Sequence, residues 1–346
     1  MRPRATATAA IAAFALIVAA CAGGGTTGGD TDVGGGSIAI SGSSTVEPIS
    51  ALVAEAFKSQ NPDIGISVEG PGTGDGFAKF CNGETDISDA SRPIKDAEIA
   101  TCEANGIEFI ELHIATDGLS ILTSKQNDRI SCLSKTDLYA LTGPESIGMA
   151  TWSDADELVS DVAATVDTAA FGPPHAPYPD APLVITGPGE ESGTYDTYVE
   201  LVLEPIADAR GQEAATRPDY TASANDNVII EGIAGSDSSL GWVGYAFFLA
   251  NEDKVEAIAV DAGNGCVEPT PDTIASFEYP LSRPLFIYVN AQRAAENPAV
   301  AAFVDYYLSD GGLQAVVDAG YVALDDYTEA RTRWADRTTG SSDARP

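Results

Sequence analysis

Basic clusters, histidine and long apolar runs are all scarce in this sequence. Among its 346 residues there are 18 Lys and Arg against 52 Asp and Glu, a formal charge of −34, and the basic residues are scattered. A protein that neutralises a phosphodiester backbone needs a basic face, so nucleic acid is excluded as a partner. There are two histidines, His113 in an apolar strand and His175 in a Pro-rich loop, and neither has a nucleophile signature beside it. No Gly-x-Ser-x-Gly elbow occurs, and the Gly72 turn lacks the Lys-Ser/Thr ending of a nucleotide-binding P-loop. Neither paired CxxC motifs nor a dense carboxylate–histidine cluster is present, so the expectation is no metal and no cofactor. After residue 21 the longest apolar run is GWVGYAFFLA, half the length a membrane-spanning helix needs.

The N-terminus has the character of a targeting segment. Arg2 and Arg4 precede an apolar run, Ala9–Ala20, that ends in LIVAAC. Small residues before a cysteine resemble a bacterial lipobox, which implies cleavage after residue 20 and a lipid anchor on Cys21. Loss of residues 1–20 takes the charge from −34 to −36, because Arg2 and Arg4 leave with them. The stretch AGGGTTGGDTDVGGG then reads as a Gly-rich tether, residues 21–36, with a reach of roughly 20 Å. Four cysteines remain, Cys81, Cys102, Cys132 and Cys266, which allow three pairings as two disulfides. Cys81–Cys102 with Cys132–Cys266 is the preferred one, because the first bond closes a local helix–strand–helix unit.

Along the rest of the chain, short apolar runs alternate with helical periodicity. Ile38–Ile40 reads as a strand, and Ile49, Leu52, Val53, Ala56 and Phe57 recur at helical spacing. The alternation continues to IEFIELHIA, and DGLSILTSK reads as a strand leading elsewhere. This pattern predicts an α/β fold with mostly parallel strands. The length suits about two domains. Residues Asp154 to Pro182 are polar, Pro-rich and poorly patterned, with FGPPHAPYPDAP as a loop, and the polar tail after Trp334 reads as frayed.

Three joints share one plan, a strand followed by a small polar turn and a helix start. They are Gly42-Ser43-Ser44-Thr45, Gly72-Thr73-Gly74-Asp75-Gly76 and Glu191-Ser192-Gly193-Thr194; Asp89-Ala90-Ser91-Arg92-Pro93 is a fourth. A helix start carries unpartnered N–H groups and a dipole that favours negative charge. In parallel α/β layers such joints gather at the carboxyl ends of the strands, so several can converge on one small anion. Each has a plainer reading alone. Ser44-Thr45-Val46-Glu47, for instance, fits a capping box. The case for a site rests on four joints in one chain.

Taken in order, GSSTVEPI, GTGDGFAKFCNGETDISDASRPIKDAE, ESGTYDTY, NGCVEPTPDTI and YPLSRPLFIYVN resemble the phosphate-binding proteins of bacterial phosphate ABC transporters, the PstS type. The resemblance spans about residues 37–325. It implies a two-lobed type II periplasmic-binding-protein fold with the ligand between the lobes, two crossing strands as hinge, and a permease with its ATPase as partners. Lobe 1 is then 37–116 with 284–334 and lobe 2 is 117–283, the crossings lying near Thr116–Ser120 and Arg283–Phe286, with 335–346 as a polar tail. The family's ligand positions fall on Ser44, Thr45, Thr73, Ser192, Gly193 and Thr194. Its phosphate-facing aspartate falls on Ser91 and its arginine on Pro188, so Asp89 and Arg92 are the candidate replacements. Asp89 and Ser91 share a strand face by period two. A carboxylate matters because phosphate keeps a proton near neutral pH and sulfate does not. Asp89, Glu190 or Glu191 could accept that proton and reject sulfate. The expectation is a monomeric, lipid-anchored, extracytoplasmic phosphate receptor. Its rivals are a receptor for sulfate or molybdate, a phosphate-ester hydrolase and a surface adhesin.

Overall fold

The computed structural model describes residues 36–190 and 192–342. The proposed signal peptide, Cys21 and most of the tether lie outside those residues. The strands are β1 (Gly36–Gly42), β2 (Ile64–Glu69), β3 (Ile87–Ala90), β4 (Phe109–Ser124), β5 (Cys132–Ser134), β6 (Val184–Gly187), β7 (Thr221–Ala222), β8 (Ser239–Gly244), β9 (Val255–Asp261), β10 (Cys266–Val267) and β11 (Ser282–Asn290). The first three helices are α1 (Glu47–Gln60), α2 (Thr73–Cys81) and α3 (Asp96–Ala104). The main strand order is β2-β1-β3-β11-β4-β8-β6-β7, with β9 joining β4 to β5 and β10. β1 is parallel to both β2 and β3, and β6 is parallel to β7 and β8. β11 runs antiparallel to β3 and β4. The fold is therefore α/β with a mixed sheet.

β4 differs from the sequence expectation. Asp117-Gly118 reads as a break between two strands, yet residues 109–124 form one strand. Its first part pairs with β11 up to Gly118↔Ser282, and from Leu119↔Gly244 it pairs with β8. The strand survives its glycine because β11 pairs with it up to that point and β8 from the next residue on. The apolar cores divide at the same point. One gathers Ile40, Val53, Phe57 and Ile114 with Leu285, Phe303 and Trp334. The buried members of another all lie between Leu119 and Leu281, including Trp152, Tyr198 and Trp242. Aromatic pairs sit in each: Phe57 meets Phe303 edge-on at 5.5 Å, and Tyr198 stacks on Trp242 at 4.2 Å.

Two further expectations need correction. Asp156–Ala163, in a stretch with little visible patterning, is a helix that buries Val159 and Val162. Two apolar anchors over eight residues are too few to show a period. The tail after Trp334 does not fray over its first part: the Gly340 N–H donates to the Phe109 carbonyl at 2.7 Å and the Ser342 N–H to Glu111 at 2.9 Å. β4 supplies one backbone and one carboxylate partner that the tail's composition does not reveal. The cysteines pair as Cys81–Cys102 and Cys132–Cys266.

Candidate functional site

The four joints all follow the carboxyl end of a parallel strand, β1, β2, β3 or β6. After β1 the capping box does not form. α1 starts at Glu47, and its N-cap Val46 offers no side-chain bond. The Ser44 hydroxyl instead donates to Asp196 Oδ2 at 2.8 Å. Thr45 is buried, and its Oγ1 accepts from Arg283 Nη2 at 2.7 Å. Here the sequence motif of a cap is used to reach across to another part of the chain.

After β2, Gly72 takes a φ of 111°, open to glycine and strained for other residues. Thr73 then opens α2 and is buried. Its Oγ1 lies 2.9 Å from Ser91 Oγ and accepts the Ser91 N–H at 3.2 Å. A Cβ on Gly76 would lie 2.4 Å from Gly42 Cα, so the first turn of α2 touches β1 backbone to backbone. After β6, Ser192 caps the helix Gly193–Tyr198 by accepting the Thr194 N–H at 3.2 Å. A Cβ on Gly193 would lie 3.3 Å from the Ser44 carbonyl. The first and third joints are thus in contact across the two cores, with their hydroxyls and helix starts side by side.

Asp89 is placed differently from the expectation. β3 ends at Ala90, before the period-two face reaches Ser91. Asp89, 0% exposed, turns to the α1 side and accepts from Ser50 Oγ at 2.9 Å, while Ser91 turns to Thr73 on α2. Asp89 Oδ2 has no hydrogen-bond partner among the described residues. Burial pushes its carboxyl up to about 7, against the Ser50 bond and with help from Glu47. Asp89 therefore does not join Ser91 at the joint. Arg92 is engaged by Glu98 through two bonds of 2.9 and 2.8 Å and lies over the Phe77 ring at 5.5 Å. Glu190 is exposed, and Glu191 lies outside the described residues. His113 is a packed residue beside Phe286, its Nε2 2.9 Å from the Ala115 carbonyl oxygen, and burial holds it below its ordinary pKa.

The central cation is one that joint-by-joint reading passes over. Arg283 is 4% exposed at the start of β11, opposite Asp117 on β4, where β4 changes partners. Its Nε donates to Asp117 at 3.2 Å, its Nη1 to Glu200, and its Nη2 to Thr45 and Thr197. It thus binds side chains from the first joint and from the helix behind the third. Its signal in the sequence is a repeat: Ser91-Arg92-Pro93 recurs as Ser282-Arg283-Pro284, and both copies line one cavity of ≈ 460 Å³ with Gly74 and Glu200. A neighbouring cavity of ≈ 390 Å³ is lined by Thr45, Asp117, Thr194 and Thr197. Two hydroxyl-rich helix starts and a buried guanidinium make a polar cage whose donors suit a small anion.

Comparison with known proteins identifies the family of the chain as a whole. Residues 24–311 match the PBP superfamily domain. Protein SphX of Synechocystis sp. is 37% identical over 290 residues, covering 83% of this chain and 78% of its own. The phosphate-binding protein PstS of Staphylococcus saprophyticus is 35% identical over 326 residues, covering 93% and 91%. Among solved structures, one described as a possible phosphate binding protein from Planctomyces limnophilus superposes with a TM-score of 0.75 at 35% identity, covering 88% of this chain and 99% of that one. With ordered joints, fold and overall sequence in agreement, the chain belongs to the PBP superfamily and, within it, to the PstS-type family of phosphate-binding proteins.

Proposed function

We propose that this chain captures inorganic phosphate in the cage between its two cores and delivers it to an ABC permease. The observation that carries the reading is the convergence of Ser44, Thr45 and the Ser192–Thr194 helix start with Arg283. Hydrogen bonds to a charged group contribute roughly 1.5–3 kcal/mol each, so a handful of donors suffices against a diffuse acidic field. In this reading 37–116 with 284–334 and 117–283 are the lobes. They close by bending where β4 and β11 cross, and the closed form docks on the permease. The receptor is extracytoplasmic and monomeric, stapled by its two disulfides and held to the membrane through Cys21. No helix among the described residues is long and apolar enough to cross a membrane.

With Asp89 turned away, the phosphate proton falls to the carboxylates beside the cage. Asp196, which takes the Ser44 hydroxyl, is the first of them, and Asp117 the second. The deciding experiment is calorimetric titration of the phosphate-stripped mature protein with phosphate, with sulfate as competitor from about pH 5 to 8. Saturable phosphate binding that sulfate does not displace is expected. Displacement by sulfate points to a general oxyanion receptor, and turnover of p-nitrophenyl phosphate to a hydrolase.

Two substitutions probe the walls of the cage. Thr194→Val removes one hydroxyl at nearly constant shape, and the loss of a bond to a charged ligand weakens phosphate about 10- to 100-fold. Binding equal to the parent's would place the anion elsewhere. Arg92→Ala is expected to cost about tenfold or less in the same titration, because Glu98 already holds its guanidinium. A loss as large as that of an Arg283 variant would make Arg92 the principal cation instead.

A further inference from the structure

Outside the residues of the anion cage, a second cluster of polar side chains gathers around the Cys132–Cys266 bond. β9 lies between β5 and β10, so the pairs Cys132↔Ala259 and Cys266↔Asp261 bring the two cysteines and Asp261 to one sheet end. His175 reaches this spot from the Pro-rich loop. Its Nδ1 lies 2.7 Å from Asp137 Oδ2. Asp137 is fully buried and also accepts from the Ser134 and His175 N–H groups and from the Tyr178 hydroxyl. That carboxylate fixes both the tautomer and the ring orientation. The remaining nitrogen, Nε2, is therefore presented to the sulfurs. It lies 3.9 Å from Cys266 Sγ and 3.8 Å from Asp261 Oδ2. The Cys132, His175 and Cys266 donor atoms all fall within 4.8 Å of one another.

These separations approach the edges of a zinc tetrahedron. Zn–S of about 2.3 Å and Zn–N of about 2.1 Å imply S···N of about 3.6 Å and S···S of about 3.8 Å. The Cys266 Sγ–His175 Nε2 separation of 3.9 Å is already close, and the bonded sulfur pair must part. A histidine whose second nitrogen is held by a buried carboxylate is the arrangement that orients metal-bound imidazoles and raises their basicity. Asp261 flanks the fourth position. The site is also reachable, since His175 is partly exposed and Cys266 exposed. The other disulfide, Cys81–Cys102, is buried among apolar side chains.

We infer that the Cys132–Cys266 disulfide is the oxidised form of a zinc site completed by His175, which forms when a dithiol reductant opens the bond. The dithiol supplies two electrons and two protons to the sulfur–sulfur bond and leaves as its own disulfide. Zinc then displaces the two thiol protons to solvent and accepts the lone pair of His175 Nε2. Either state ties β5, β10 and the loop bearing His175 together, so the staple persists through a change of redox conditions with the metal in place of the covalent bond.

The test uses the full mature chain, treated anaerobically with a water-soluble phosphine or left oxidised, then titrated with zinc chloride at about pH 8, where thiolates form. The reduced protein is expected to take up one zinc against a chelating dye, and the oxidised protein none at that affinity. Zinc shields Cys132 and Cys266 from alkylation, read by peptide mass. His175→Ala weakens zinc at least 100-fold and Asp137→Asn about 10- to 100-fold. Cys266→Ser is a second ligand variant should either of these fold poorly. Equal uptake by oxidised and reduced protein overturns the inference. So does unchanged affinity in both His175→Ala and Cys266→Ser, or shielding of Cys81 and Cys102 instead.

Discussion

Replacing Arg283 with Gln lowers phosphate affinity by about 100-fold or more and destabilises the apo protein in the same stroke. The two effects have different origins. Affinity falls because the guanidinium is a buried cation at the cage, where charge-assisted bonds are at their strongest. Stability falls because Asp117, itself buried, loses its ion-pair partner. Removing one member of a buried pair costs about 3–5 kcal/mol. The pair of Arg283→Gln with Asp117→Asn separates them. The double variant, with no orphaned carboxylate, recovers most of the melting temperature and none of the affinity. Arg283→Lys keeps the charge without the fork that reaches Asp117, Thr45 and Thr197 together, and falls between. Calorimetry with phosphate and thermal unfolding measure both quantities. An Arg283→Gln protein that binds phosphate like the parent would remove the cation from the site.

The second large effect is in pH. Asp89 is wholly buried, and the fold holds its carboxyl up at about 7. In the unfolded chain an aspartate titrates near 3.9. A raised acid binds its proton more tightly when folded. Its contribution is therefore full below about pH 4 and is lost as the pH climbs through 7, flat thereafter. Between pH 5 and pH 9 the loss from this one group is about 3 kcal/mol. Asp89→Asn cannot ionise and keeps an oxygen for the Ser50 hydroxyl. Urea unfolding at the two pH values is expected to show the parent losing about 3 kcal/mol more than the variant. Parallel profiles would mean that Asp89 is charged throughout or reached by water.

The three principal joints are legible in the sequence because each is local. A strand end, a small polar turn and a helix start fall within five residues, and Ser44, Thr73 and Thr194 can be read without knowing what lies opposite. Arg283 is not legible in that way. Its meaning depends on Asp117, Thr45 and Glu200, which are 166, 238 and 83 residues away in sequence. Only the repeated Ser-Arg-Pro tripeptide hints at it. Asp89 shows the opposite failure. Period two puts it on the Ser91 face of an ideal strand, but β3 stops after four residues and the chain turns between the two. The β4 strand is misread for a related reason. Asp-Gly is a turn signal in isolation, and here a neighbouring strand overrides it. Local chemistry survives translation from sequence to structure, whereas the choice of partner is made by topology.

The pairing of Gly118 with Ser282 has one more consequence, for how such proteins are assembled in genes. Residues 119–281 leave and re-enter the rest of the chain at adjacent rungs of one ladder, so this segment has a single doorway about 5 Å wide. A cassette that enters and exits at one point can be exchanged, lengthened or redesigned without stretching its host, as insertions with neighbouring ends generally can. Half of the cage travels with that cassette: Ser192, Gly193 and Thr194 lie inside it, and Ser44, Thr45 and Arg283 stay behind. Recombination at this doorway would therefore trade one wall of the site while leaving the other intact.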